Sequence, residues 1–446
     1  VSDVSGRRVA VIGTGYVGLT TGACLASLGH HVVCADADSQ KVQRLRRAEV
    51  DILEPGLPDL VRDTAAGGHL EFTQDTAAAV ADAEVVFLCL PTPMGAGGAA
   101  DLAAVETVAG EIRTVLPGGS VVVNKSTVPV GTARRVAELL GRPDVTVVSN
   151  PEFLREGRAV HDFLHPDRIV IGAEKEADRE AAQRVADLYG TLDAPVVLTD
   201  AASAELTKYA ANFFLAMKLS FANNLATLCE HFGADIGDVT DGIGHDPRIG
   251  PAFLRPGPGW GGSCLPKDTH ALLTICRQAG VDFPLLRATI ETNVEHQHRL
   301  VERVAAEHGS ADGSLRGVTL ALLGLTFKAG TSDLRDSPAL AIARLLKERG
   351  AELLGHDPAL RGTTRPDLSD LLTLVDDPLD AAAGADACVV LTEWPQLRDL
   401  DWEAVAGRLA TPTVHDFRNL LDPVRLERAG LRWHGVGRTP ALAPRG

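Results

Sequence analysis

Residues 8–36 constrain the fold more tightly than any other stretch of the chain. Arg8 to Ile12 is a short, β-branched run that reads as a buried strand. Gly13-Thr-Gly-Tyr-Val-Gly18 follows, then a helical stretch to about Leu28 that stops at Gly29, then a second strand from His31 to Ala35 ending on Asp36. Strand, glycine turn, helix, strand and acid, in that order, form the first unit of a dinucleotide-binding, doubly wound sheet. Gly13 permits the turn, Gly15 lets backbone approach a pyrophosphate, and Gly18 lets the helix pack closely. Asp36 is placed to accept from ribose hydroxyls and to repel a 2′-phosphate, which points to NAD rather than NADP, with Lys41 close enough to assist. A purely structural glycine turn is the alternative.

The alternation continues. Strands are expected at Val85–Leu90, Ser120–Asn124 and Val145–Ser149, with helical stretches between them, so the sheet should be mostly parallel. Residues 201–230 carry no Gly or Pro and place apolar residues at helical spacing, which predicts one long spine helix. More helix is expected to about residue 308, broken by a glycine loop at 257–262. From Val318 the opening pattern returns: a strand to Leu323, a turn at Gly324, a helix over Ser337–Arg349 and a strand over Ala351–Gly355 leading to His356 and Asp357. Gly29 and Asp36 are separated like Gly350 and Asp357. The expected fold is therefore α/β, with two Rossmann-like doubly wound domains joined by a long central helix and a helical middle domain. The expected boundaries are 1–198, 199–310 and 311–446. The second glycine turn, Gly324 to Gly330, is not Gly-x-Gly-x-x-Gly, so that domain should hold a different phosphorylated ligand.

A formal net charge of −16 argues against a nucleic-acid or anionic-membrane partner. No apolar run is long enough to span a membrane. Val1 to Arg8 is polar, so no signal peptide is expected. The seven cysteines are scattered without a Cys-x-x-Cys pair, which fits free thiols in a reducing cytoplasm and argues against a zinc site or redox dithiol, so no metal site is expected.

Chemistry concentrates in a few segments. Cys264 sits in Gly-Pro-Gly-Trp-Gly-Gly-Ser-Cys-Leu-Pro-Lys-Asp, residues 257–268. Glycines let a bulky ligand approach, and a thiolate beside a cation is a nucleophile. With a nicotinamide site, it suggests oxidation through a thioester to an acid; a small buried cysteine is the alternative. Asn150-Pro-Glu-Phe-Leu-Arg-Glu-Gly157 follows a strand end, where Glu152 and Glu156 would share a face if helical, although solvated surface acids are the plainer reading. Ser126 to Thr132 follows another strand end, and its hydroxyls suit cofactor, water or a helix cap. On the spine helix Glu205, Lys208 and Asn212 fall on one stripe, either lining a site or exposed with a Glu–Lys pair. Arg248, Lys328, Arg335 and Arg418 lie in loops and suit phosphate, or are surface charges.

Taken in order, GTGYVGL, EPGL, PTP with the later ADL, STVPVGT, NPEFLREG, HPDRIVIG, ELTKYAANFFLAMKLSFAN, DPRIG, GWGGSCLPKD, FKAGTSDLRDSP and TEW resemble the UDP-glucose/GDP-mannose dehydrogenase family over nearly the whole chain. The PTP and TKYAANFFLA segments look most like its UDP-glucose 6-dehydrogenase branch. The resemblance implies four-electron oxidation of a nucleotide sugar at C6, UDP-glucose to UDP-glucuronate, with two NAD+. It implies Cys264 as nucleophile through a thiohemiacetal and a thioester. It implies Lys208 and Asn212 at the oxyanion, Asp268 and Glu152 sharing proton and water work, and Thr127 near that water. For NAD it implies Gly13, Gly15, Gly18, Asp36, Lys41, Thr92, Thr127, Glu156 and Arg335. For the sugar nucleotide it implies Phe153, Leu154, Lys208, Asn212, Phe253, Gly261, Phe327, Lys328 and Arg418. Arg248 would reach in from a neighbouring subunit, so a homodimer or larger homo-oligomer is implied, with much of the interface on the spine helix.

Three positions depart from the family pattern. Asn224 stands where Glu is common, Trp260 where Phe or Tyr is usual, and Leu265 where Phe is usual. The last two flank Cys264 and bear on the pocket. The same chemistry on dTDP-glucose or another nucleotide hexose is the near alternative. A catalytically dead NAD-binding regulatory protein and a simple two-electron dehydrogenase are the alternatives of another class.

Overall fold

The computed structural model describes residues 6–175 and 178–438; Val1 to Ser5 of the polar opening lie outside the described residues. The first sheet contains β1 (Arg8–Ile12), β2 (His31–Ala35), β3 (Leu70–Thr73), β4 (Val85–Leu88), β5 (Val121–Asn124), β6 (Thr146–Ser149), β7 (Ile169–Ala173) and β8 (Val196–Asp200). Their order is β3-β2-β1-β4-β5-β6-β7-β8, parallel except where β7 runs against β6. The second contains β9 (Thr319–Leu323), β10 (Glu352–His356), β11 (Thr373–Leu374), β12 (Ala387–Val390), β13 (Thr413–Asp416) and β14 (Arg432–Gly435). Its order, β11-β10-β9-β12-β13-β14, is parallel throughout and repeats the topology of the first six strands. Two Rossmann-like domains linked by helices are thus the observed fold.

Side-chain alternation explains why each sheet is covered on both faces. In β1, Val9 and Val11 belong to one core cluster while Ala10 and Ile12 belong to another. In β9, Leu320 and Leu322 separate in the same way from Ala321 and Leu323. Successive residues of a strand point to opposite faces, so a strand apolar on both is buried by helices on both. Each fully buried Val or Leu contributes about 1.5–3 kcal/mol.

The spine is one helix, Ala201–Phe232, about 48 Å long at 1.5 Å per residue. Helices Ile236–Gly244, Leu265–Gln278 and Pro284–His308 follow, and the glycine loop precedes Leu265. The chain divides into two compact units, residues 1–211 with 270–282 and residues 212–269 with 283–446. Strand ends differ from expectation by a residue or two. β4 stops at Leu88, because the chain leaves the sheet to form the loop through Thr92. His356 joins β10 by pairing with Leu323.

Candidate active site

In the first unit, the candidate residues gather after the carboxyl ends of parallel strands, where ligands of open α/β sheets bind. Gly13 follows β1 with φ of +94°, a conformation few other residues tolerate. A Cβ on Gly18 would lie 1.8 Å from the Gly13 carbonyl oxygen, so helix and turn touch there only because Gly18 has no side chain. A Cβ on Gly15 would meet no protein atom within 4 Å. Nothing in the protein itself requires glycine at 15, and the open space fits a dinucleotide pyrophosphate drawn against the backbone. At the end of β2, Asp36 Oδ2 accepts from Thr14 N at 2.9 Å and Thr14 Oγ1 at 2.6 Å, with Lys41 Nζ at 3.3 Å. Burial pushes the Asp36 carboxyl up, but the Thr14 hydroxyl, the Asp38 and Thr14 amides and Lys41 outweigh it and hold the group below its usual range. These residues fit an NAD adenosine.

After β4 and β5, Thr92 Oγ1 donates to the Thr127 carbonyl at 2.9 Å, and both residues are buried. After β6, residues 150–157 form no helix, so Glu152 and Glu156 do not share a helical face. Pro151 and the turn at 156–157 interrupt any helical path there. Glu152 is no surface acid either. It is buried, takes the Leu154 amide on Oε2 at 2.6 Å, and pairs through Oε1 with Lys208 Nζ at 2.9 Å. The exposed-stripe alternative for the spine fails in the same way: Glu205, Lys208 and Asn212 are all buried. Glu205 does not pair with Lys208. It accepts from the Gly131 and Ala133 amides and from Ser149 Oγ, anchoring the start of the helix Thr132–Leu140. Lys208 Nζ also lies 5.2 Å from the Phe153 ring centre, and the Arg168 guanidinium stacks on that ring at 3.6 Å. Glu156 is partly exposed in the loop after Leu154.

In the second unit, Asn212 Nδ2 donates to Asp268 Oδ2 at 2.6 Å, and Lys267 Nζ pairs with Asp268 Oδ1. Cys264 is partly exposed, with Ser263 Oγ 3.6 Å from its sulfur. The preceding loop is held without slack. A Cβ on Gly261 would lie 2.0 Å from the Asp336 carbonyl oxygen, and one on Gly262 would lie 2.6 Å from the Phe327 ring. Trp260 is buried, and its indole donates to Ser220 Oγ at 2.9 Å, so this departure anchors the loop from behind. Leu265 opens the next helix, and Asn224 is exposed on the spine. Phe327 follows β9 and Arg418 follows β13, again at carboxyl strand ends. The Arg418 guanidinium donates to the Leu391 and Phe327 carbonyls and pairs with Glu393. Lys328 Nζ lies 5.3 Å from the Phe327 ring centre. Phe253 holds φ of +62°, a strained value for a residue with a side chain. Arg248 and Arg335 are exposed and forked onto Asp246 and Asp333.

The second domain keeps the strand-end acid and uses it differently. Asp357, after β10, accepts from the Leu325 and Thr326 amides, Thr326 Oγ1 and the Trp394 indole, and is 1% exposed. That acid is sealed from any ribose, in keeping with a different ligand for this domain.

Sequence reasoning missed Lys125 and gave no role to Arg168, which lies within HPDRIVIG. Lys125 is buried, donates to Asn150 Oδ1 at 3.0 Å and Tyr189 Oη at 3.2 Å, and burial pushes its ammonium down to about 8. A lysine directly after a buried strand end was the available signal.

Three family models match the chain in order. They are the NAD binding domain of the UDP-glucose/GDP-mannose dehydrogenase family over residues 7–193, its central domain over 202–295 and its UDP binding domain over 321–423. The chain belongs to the UDP-glucose/GDP-mannose dehydrogenase family. A UDP-glucose 6-dehydrogenase of Rhizobium meliloti is 44% identical over 439 residues, 97% of this chain and 99% of the relative. UDP-glucose 6-dehydrogenase TuaD of Bacillus subtilis is 42% identical over 441 residues, 98% of this chain and 94% of the relative. A solved UDP-glucose dehydrogenase from Pyrobaculum islandicum superposes with a TM-score of 0.87 at 37% identity, covering 98% of this chain and 100% of that one. As a member of this family the chain is an NAD-dependent nucleotide-sugar dehydrogenase, an enzyme that oxidises its sugar at C6, and the regulatory-protein alternative falls away. No helix among the described residues is long and apolar enough to cross a membrane.

Proposed function

We propose that the enzyme converts UDP-glucose to UDP-glucuronate through covalent intermediates on Cys264. The observation that carries this reading is an intact set of reacting groups in which a partly exposed Cys264 is accompanied by buried, paired side chains: Lys208 with Glu152, and Asp268 with Asn212 and Lys267. NAD bound over Gly13, Gly15, Gly18, Asp36 and Lys41 supplies the hydride acceptor for both oxidations. Thr92, Thr127, Glu156 and Arg335 are proposed to complete its site. The Cys264 thiol adds to the C6 aldehyde, giving a thiohemiacetal whose oxidation leaves a thioester. Water then releases the acid and restores the thiol. Lys208 and Asn212 stabilise the oxygen on which charge develops. Glu152 and Asp268 hold and move protons to that oxygen and to the attacking water, with Thr127 beside it.

Phe153, Leu154, Phe253, Gly261, Phe327, Lys328 and Arg418 are proposed to hold the nucleotide sugar, with Arg248 supplied by a second copy. A homodimer is supported by Phe214, Phe221 and Leu228, exposed at heptad spacing along the spine, with Phe232 exposed beyond them. The division at 198 and 310 belongs to this proposal, as does a reducing, cytoplasmic setting, which the seven free cysteines support.

The test is NADH formed per sugar consumed, with UDP-glucose and dTDP-glucose side by side. Two NADH per sugar, with the higher kcat/KM on UDP-glucose, is the expected result. One NADH per sugar would overturn the thioester route, and a preference for dTDP-glucose would overturn the substrate assignment. Cys264→Ala is expected to lose acid formation; sustained acid production by that variant would exclude the cysteine mechanism.

A further inference from the structure

Three histidines distant in sequence meet in the second unit, outside every residue assigned to the reaction. Glu307 and His308 end the helix Pro284–His308. His415 lies on β13, and the parallel register sets it beside His434 on β14. Their rings stack with centroids 5.2 Å apart. His308 Nε2 is 3.0 Å from His415 Nε2, while Glu307 Oε2 is 3.1 Å from His434 Nε2 and 3.7 Å from His415 Nε2. A cavity of about 300 Å³, lined by Arg303, Glu307, His415 and His434, opens beside them.

Hydrogen bonding leaves part of this gathering unserved: His415 Nδ1 is buried with no hydrogen-bond partner among the described residues. One N–H bridges the facing His308 and His415 nitrogens, and Glu307 meets His415 and His434 through one oxygen, with the charge of Asp386 also acting on His308. The other oxygen, Glu307 Oε1, faces Arg432 at 3.3 Å. Arg303 is occupied elsewhere, with Glu230 at 2.8 Å and the Gly435 carbonyl at 2.8 Å. The distances match a metal polyhedron better. Ligand atoms around a tetrahedral zinc ion lie about 3.3 Å apart, because the bonds are about 2.0–2.1 Å. Glu307, His308 and His415 each offer a ligand atom within 4.8 Å of the others.

We propose that Glu307, His308 and His415, with His434 beside them, bind one divalent transition-metal ion of the zinc class. Imidazole-rich sites select zinc, copper, nickel and cobalt over magnesium and calcium, which prefer all-oxygen shells. The ion ties the end of the helix Pro284–His308 to β13 and β14, and β13 is the strand that leads into Arg418. Metal bound only by the folded protein stabilises it.

The test is calorimetric titration of the full chain, stripped with a chelator, with ZnCl2. One saturable ion per chain, a raised Tm and indifference to excess Mg2+ are expected. His308→Gln, at a partly exposed helix end, is expected to weaken zinc binding by about 100-fold or more while leaving metal-free NADH formation unchanged. His434→Gln is the second variant and is expected to weaken binding as well. Cys264→Ser is expected to bind zinc as the parent does, since that thiol is the competing zinc ligand. Absence of saturable binding, binding undiminished in both histidine variants, or binding lost in Cys264→Ser would each overturn the proposal.

Discussion

Lys208 Nζ lies 2.9 Å from Glu152 Oε1, and the two side chains are only 3% and 6% exposed. Buried pairs of this kind matter more when broken than when formed, because the survivor is left as an unpaired charge. Lys208→Met is therefore expected to destabilise the protein by about 3–5 kcal/mol in urea unfolding, and the Glu152→Gln/Lys208→Met double variant by less than the sum of the singles. Simple additivity would show that the pair is not coupled.

The same pair sets an acid limb. Burial pushes Glu152 up, but Lys208, the Leu154 amide and Lys125 outweigh it and hold the carboxyl below its usual range. Its unfolded value is about 4.3, so its contribution is fully present above that pH and disappears as pH falls from there through the depressed folded value. Glu152→Gln should flatten that part of the stability–pH curve, measured by denaturant midpoints.

Lys125 should act at the other end of the scale. Its folded pKa of about 8 lies below the unfolded value of about 10.4, so the unfolded chain binds more protons between the two. Stability attributable to Lys125 should therefore rise as pH climbs through that window. Lys125→Met should show no such rise; an unchanged slope would place the buried charge elsewhere.

The two helix-side glycines of the first turn should behave differently. Gly18→Ala drives a methyl into the Gly13 carbonyl oxygen and is expected to cost several kcal/mol or prevent folding. Gly15→Ala meets open space and should leave Tm within about 2 °C of the parent. Its defect should appear as a KM for NAD raised at least about 10-fold, since the methyl occupies the proposed pyrophosphate position. A normal KM would remove Gly15 from the cofactor site.

Replacing Phe221 and Leu228 together with Asp is expected to yield a monomer by light scattering, because both lie exposed on the spine helix. A dimer that persists would move the interface off this stripe.

Much of the fold was legible because its signals are local. A glycine turn between strand and helix fixes the first βαβ unit, and the same spacing from Gly350 to Asp357 exposes the second. The candidate site was legible as a set of residue types but not as contacts. Glu152 could not be seen to pair with Lys208, nor Asn212 with Asp268, because pairing across distant segments leaves no periodicity in the chain. Residues 150–157 misled for a related reason: carboxylates four apart suggest a helical face only where the backbone is helical. The histidine cluster was invisible, since its members come from one helix end and two strands.

The tightly seated glycine loop has a consequence for the order of events. Cys264 lies in the same compact unit as Phe327, Lys328 and Arg418, and Gly261 and Gly262 leave no clearance between its loop and the turn after β9. The Gly13 turn belongs to the other unit. On the proposed roles, a sugar tethered through sulfur stays with the body that also grips its nucleotide. Spent carrier can then depart and fresh carrier arrive while the half-oxidised intermediate remains leashed, so a reactive aldehyde need never diffuse away between the two oxidations.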